Sequence, residues 1–138
     1  MNQPEPAQAP RARAGESPIF ARAYDMTIWL IPMISSFPKE QRFRLAARLE
    51  SSLFAFHDCL LHAARGRDTQ LELNSADIEL ERMRFYLRLA QELHFLSFKQ
   101  YEHATRLCNE VGRLLGGWQK KQTTLTPDQN SGARGGRQ

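Results

Sequence analysis

No apolar stretch in the chain approaches the roughly 20 residues that a membrane-crossing helix needs. The nearest candidate, residues 28–34, is far shorter and is broken by Pro32. Pro4, Pro6 and Pro10 stand where a secretion signal would need an apolar core, so the expectation is a cytoplasmic protein with no export signal and no membrane partner. Cysteine is scarce as well. Cys59 and Cys108 are the two in the chain, and they are too far apart for a C-x-x-C metal or redox motif. Both fall among apolar neighbours, as expected of small buried hydrophobes in a reducing compartment.

The usual signatures of catalysis are missing too. Di-metal carboxylate bundles place Glu-x-x-His on facing helices. Here no glutamate is followed by histidine three residues later, and His57, His62, His94 and His103 are scattered. There is no Gly-x-Ser-x-Gly elbow and no glycine-rich phosphate loop ending in Lys-Ser or Lys-Thr. These absences argue against a metal, a cofactor or a set of catalytic residues, and the expectation is a protein that is not an enzyme.

What the sequence does have is helical periodicity. Residues 1–17, rich in Pro, Ala, Gln and Arg, and residues 122–138, with Thr, Pro, Asn, Ser and Gly-Gly, show none of it and read as flexible extensions. Between them, residues 18–121 read as one domain of four helices. Helix one is expected from Ser17-Pro18, with Phe20, Ala23, Thr27, Leu30 or Ile31, and Ile34 on its inner face and a kink or early end at Pro32. Helix two is expected directly after Pro38, on Ala46, Leu49, Leu53, Phe56, Leu60 and Ala63, stopping at Gly66. Helix three begins within Gln70–Asp77 and continues the seam with Ala76, Leu80, Met83, Leu87 and Ala90. Helix four follows Ser97 as N-cap, with Tyr101, Ala104, Cys108, Val111, Leu115 and Trp118 inside. Steps of three and four joined by short turns specify an all-α, antiparallel four-helix bundle.

Charge and surplus apolar residues add to this frame. Residues 38–67 carry net +3, residues 68–94 net −3 and residues 95–121 net +3, an unevenness that suits a polyanion partner, with a solvated surface that meets no partner as the plainer alternative. Arg84 and Arg88 are i, i+4 neighbours beside Phe85 and Tyr86, next to the seam and turned outward; paired guanidinium groups there suit phosphate or carboxylate. Pairing within the helix, with Glu81 and Glu92, is the plainer alternative. Gly112, Gly116 and Gly117 lie inside or at the end of a helix, where a glycine costs about 1 kcal/mol relative to alanine; a close approach by another helix or chain would offset that, and a tolerated surface glycine is the alternative. Phe54, Phe85, Tyr86, Leu89, Leu107 and Leu114 exceed what one seam can hold, which points to wide buried faces or to self-association.

The run Arg84-Phe85-Tyr86-Leu87-Arg88-Leu89, then Ala104, then Glu110-Val111-Gly112-Arg113-Leu114-Leu115-Gly116-Gly117-Trp118, resembles the accessory variability determinant family of diversity-generating retroelements. The Pro32 to Pro38 stretch and Ser75-Ala76-Asp77, expected to open helix three, are similar as well, and the resemblance spans about residues 22–120. It implies a homopentameric barrel of four-helix bundles with a basic surface, without catalytic residues. It also implies two partners, an error-prone reverse transcriptase and template-repeat RNA or an RNA/DNA hybrid, in the copying of that RNA into adenine-mutagenised cDNA (mutagenic retrohoming). Carried over by position, Arg84, Arg88 and Arg113 would face the enzyme or the RNA, with Lys120, Lys121, Arg42 and Arg44 as further cationic candidates. Gly112 and Gly116 would allow tight packing, Trp118 would anchor the end of helix four, and Tyr86 joins that packing group. The bundle proteins encoded in ribosomal-RNA intervening sequences share the expected fold, and an interaction module of that kind is the alternative.

Overall fold

The computed structural model describes residues 17–125. The extensions expected at 1–17 and 122–138 therefore lie mostly outside the described residues. Among those described there are four α-helices: α1 (Pro18–Ser35), α2 (Leu45–Ala64), α3 (Thr69–Glu92) and α4 (Phe98–Leu125), with a single 3-10 turn at Lys39–Gln41. No strand occurs among them, and no helix is long and apolar enough to cross a membrane.

Consecutive helices run antiparallel because the turns between them are short. Side-chain pairs fix the register. Arg84 on α3 meets Cys108 on α4, and further along Asn74 meets Gln119 and Gln70 meets Thr123. Arg22 on α1 reaches Glu110 on α4. Aromatic pairs close the two ends. Phe20 of α1 packs on Trp118 of α4 with ring centres 6.4 Å apart, and Phe37 in the α1/α2 connection meets Phe95 in the α3/α4 connection at 5.9 Å.

The seam is the one that the periodicity specifies. Ala46, Leu49, Leu53, Phe56, Leu60 and Ala63 of α2 are buried, as are Ala76, Leu80, Met83, Leu87 and Ala90 of α3 and Ala104, Cys108, Val111 and Leu115 of α4. Tyr101 and Trp118 are half-buried at its edge. Helix α1 differs in detail: Ile19 and Met26 are fully inside, whereas Phe20 and Thr27 are half-buried. The Thr27 hydroxyl donates to the Ala23 carbonyl at 2.9 Å, so its polar atom is satisfied without leaving the helix surface. Of the two cysteines, Cys108 is buried and Cys59 only half-buried.

Helix ends follow local chemistry. Ser97 and Gln100 cap α4 reciprocally: the Gln100 amide donates to Ser97 Oγ at 3.0 Å, and the Ser97 amide donates to Gln100 Oε1 at 2.8 Å. Helix α2 stops where Gly66 turns left-handed, at φ 86°. Helix α3 ends in a Schellman motif without glycine. His94 takes φ 65°, its amide donates to the Gln91 carbonyl, and the Phe95 amide donates to the Ala90 carbonyl at 2.8 Å.

Four boundaries differ from the sequence reading. Helix α1 continues through Pro32 to Ser35, because the proline sits on the exposed side one turn from the end and removes a single hydrogen bond. Pro38 starts a 3-10 turn, and α2 begins seven residues later at Leu45. Helix α3 opens at Thr69, well before Ser75, where the Thr69 hydroxyl bridges back to the Ala63 carbonyl at 3.1 Å. Helix α4 runs on to Leu125.

Candidate nucleic-acid interface

Helix α4 carries its seam on one side and a row of cations on the other. Lys99, Arg106, Arg113 and Lys120 recur every seven residues, and all four are exposed. Seven residues is close to two turns, so the four stay nearly aligned along about 31 Å of helix at 1.5 Å per residue. None of them makes an ion pair among the described residues. Of the acids on α4, Glu110 is turned toward α1 and held by Arg22 Nε at 3.1 Å, which leaves Glu102 as the exposed acid near the row. Lys121 is exposed one position further round the helix. Charges so spaced and unpaired are suited to an extended polyanion.

Arg88 and Arg84 have different surroundings, although one turn separates them. Arg88 is exposed and has no ion pair, and the antiparallel register sets it level with Ala104, beside the upper half of the α4 row. Arg84 departs from the sequence reading. It is half-buried between α3 and α4, and its Nη2 donates to the Cys108 carbonyl at 3.2 Å. Its Nε is buried with no hydrogen-bond partner. Neither arginine pairs with Glu81 or Glu92. Gly112 explains the path that Arg84 takes: a Cβ there would stand 2.9 Å from Arg84 Nη2 and 3.3 Å from Leu80 Cδ2. Close approach is therefore the reason for Gly112. It is not the reason for Gly116, which has no atom of the chain within 4 Å of where its Cβ would be. Trp118 packs on Phe20 and thereby ties the last turns of α4 to α1.

Arg42 and Arg44 lie elsewhere, exposed at the break before α2, where Arg44 and Tyr86 line a groove between α2 and α3. The site residues expected from the sequence thus fall into three places: the α4 row with Arg88, the head of α2, and, for Arg84 and Gly112, the α3/α4 seam. Lys99 and Arg106 were missed, and a search at seven-residue spacing from Arg113 would have found them.

The outer face of α3 is of another kind. Leu71, Ile78 and Phe85 recur every seven residues there and are 62%, 55% and 62% exposed. Leu89 extends the row, while Asp77 and Glu81 flank it.

The remaining reactive groups are quiet. Burial pushes both thiols up to about 11, with Glu72 and Glu79 adding to the effect at Cys59, so both stay protonated near neutrality. Among the described residues no three His, Cys, Asp or Glu side chains gather closely enough to hold a metal ion.

A family model described as bAvd-like matches residues 19–122, which takes in all four helices and the whole basic row. The chain belongs to the bAvd-like family. No curated protein matches its sequence. The family match bears out the resemblance read from the helix-three and helix-four motifs. Within this bAvd-like chain, the sharpest of those motifs, Glu110 to Trp118, combines three duties: Glu110 and Trp118 hold α4 to α1, Gly112 admits Arg84, and Arg113 belongs to the cationic row.

Proposed function

We propose that this bAvd-like chain is the non-catalytic accessory protein of a diversity-generating retroelement. In this reading it binds nucleic acid and the element's reverse transcriptase in the cytoplasm, and it supports mutagenic cDNA synthesis from template-repeat RNA. The observation that carries the reading is the unpaired row Lys99, Arg106, Arg113 and Lys120 on α4, within the residues that the family model matches. Arg88 and Lys121 widen that surface. The apolar row Leu71, Ile78 and Phe85 supports self-association, with a homopentameric barrel as the expected assembly, because it leaves three large apolar side chains in water that a second copy would cover.

Changing Lys99, Arg106, Arg113 and Lys120 together to glutamine tests the reading, since glutamine keeps helix propensity and removes charge. Affinity for structured RNA should fall, and the slope of log affinity against log salt should become shallower by up to about 0.9 per cation lost. Capture of the reverse transcriptase encoded beside the gene should weaken in parallel. Unaltered affinity and slope, with the helical circular-dichroism signal intact, would remove this row as the binding face. An interaction module unconnected to a retroelement would have no such gene beside its own.

A further inference from the structure

Helices α2 and α3, with the break before α2, line a groove of about 500 Å³ to which α4 contributes no residue. Ala47 keeps its α2 wall low, and Arg44 and Arg48 stand on that rim. Tyr86 and Arg82 form the α3 wall, and Phe43 stands at the mouth. Phe43 is 85% exposed, the most exposed of the large apolar side chains of the described residues, and it makes no ring contact among them. Nothing in the bundle requires it: it lies in the break between the 3-10 turn and α2, outside the seam. Its neighbours Arg42 and Arg44, and Arg48 one turn on, are exposed and make no ion pair among the described residues. The one acid in the groove, Glu79, is already neutralised by Arg82 at 2.7 Å.

We infer that this groove binds an unpaired stretch of nucleic acid, with one base stacked on Phe43 and the flanking phosphates held by Arg44 and Arg48. The inference deepens the nucleic-acid reading above and rests on it. The combination of groups selects the ligand. A free flat aromatic offers a stacking platform that any base can use, and guanidinium groups on either side of it suit the backbone. Bases inside a duplex have their faces occupied by neighbours, so a duplex could engage the arginines and leave Phe43 idle. An acidic peptide would likewise satisfy charge and leave the ring in water. The groove therefore reads unpaired segments, while the straight α4 row takes the backbone of either form.

Fluorescence anisotropy with the full chain tests the division, using a short oligouridylate, an abasic oligomer of the same length and a duplex. Phe43→Ala should weaken oligouridylate binding about ten-fold, the scale of one lost stacking contact, and leave the duplex and the abasic oligomer unchanged. Phe43→Trp should restore the affinity and show indole quenching when oligouridylate is added. Arg44→Gln with Arg48→Gln should make the single-strand salt slope shallower by about 1.4. Equal affinity of wild type and Phe43→Ala for oligouridylate, while the duplex still binds, overturns the groove and spares the α4 reading. A wild-type chain that binds none of the probes brings down both. If Phe43→Ala instead lowers the mass measured by light scattering and leaves oligouridylate affinity intact, the groove is an interface between copies and the inference is wrong.

Discussion

Helices α3 and α4 are antiparallel neighbours with the same kind of inner seam, yet α3 turns Leu71, Ile78 and Phe85 outward while α4 turns out Lys99, Arg106, Arg113 and Lys120. Both outer rows repeat every seven residues, so both follow from helical geometry. Only their chemistry differs. Neither row touches the seam that holds the bundle together, and leucine or isoleucine exposed beyond half its surface does nothing for a lone bundle. The difference teaches that the inner rows answer for the fold and leave the outer rows free for other work: in the function proposed above, the apolar row would meet a second protein surface and the cationic row a polyanion.

The strongest way to break that division is to strike inside it. Leu80 is 2% exposed and lies under Gly112 in the α3/α4 seam. Leu80→Ala should cost about 2–5 kcal/mol in chemical denaturation, the range for a leucine truncated in a packed core. The four-glutamine variant of the α4 row should change stability by no more than about 0.5 kcal/mol. If the two costs came out alike, the outer row would be part of the fold's own support and the comparison would collapse.

Arg84 and Arg88 sharpen the boundary between inside and outside, because they stand one turn apart on α3 and fall on either side of it. Arg84→Met removes the donor to the Cys108 carbonyl and should cost about 1 kcal/mol, although the methionine stem still fills the site over Gly112. Arg88→Met should leave the denaturation midpoint in place and lower RNA affinity. The reverse pattern would exchange their roles.

This pair also marks how far the sequence was legible. Periodicity in α2, α3 and α4 located nearly every buried residue, because an apolar row at steps of three and four has one way to be covered. It located the groups around Arg84 less well. Whether a long side chain beside the seam reaches out or folds back depends on what the facing helix leaves open, and here it is Gly112, 28 positions away, that admits the guanidinium. The start of α2 was misjudged for a similar reason: Pro38 can head a helix or a 3-10 turn, and only the packing of Leu45 and Ala46 into the core decides where α2 begins. The cationic row of α4 was only half seen. Arg113, Lys120 and Lys121 were picked out one by one, whereas the seven-residue spacing that joins Lys99 and Arg106 to them becomes meaningful once the seam has fixed which side faces out.

Gly112 and Gly116 offer a smaller contrast on one helix. Gly116→Ala meets open space and should raise stability by up to about 1 kcal/mol through helix propensity alone. At Gly112 the same gain is offset by displacement of Arg84 Nη2. A loss at Gly116, together with a lower mass by light scattering, would mean that a second copy presses on that part of α4, which the homopentamer reading allows and the isolated bundle does not.

The smallest effect concerns His103, the one histidine tied to both the fold and the basic row. Its ring lies 4.7 Å from that of Trp29 on α1. Burial, and then the nearby Arg106 charge, hold its pKa below the ordinary histidine value of 6.5. The folded chain therefore resists a proton that the unfolded chain accepts. Stability is full above the unfolded value and declines as pH falls through 6.5 toward the lowered folded value. Thermal midpoints should thus drop between neutral pH and about pH 5, and His103→Gln, which does not titrate there, should drop less. Arg106→Gln removes the lesser of the two causes and should fall between them. If wild type and His103→Gln lost stability in step, the histidine would not feel its position against Trp29, and the cationic row would exert no pull on the side of α4 that faces α1.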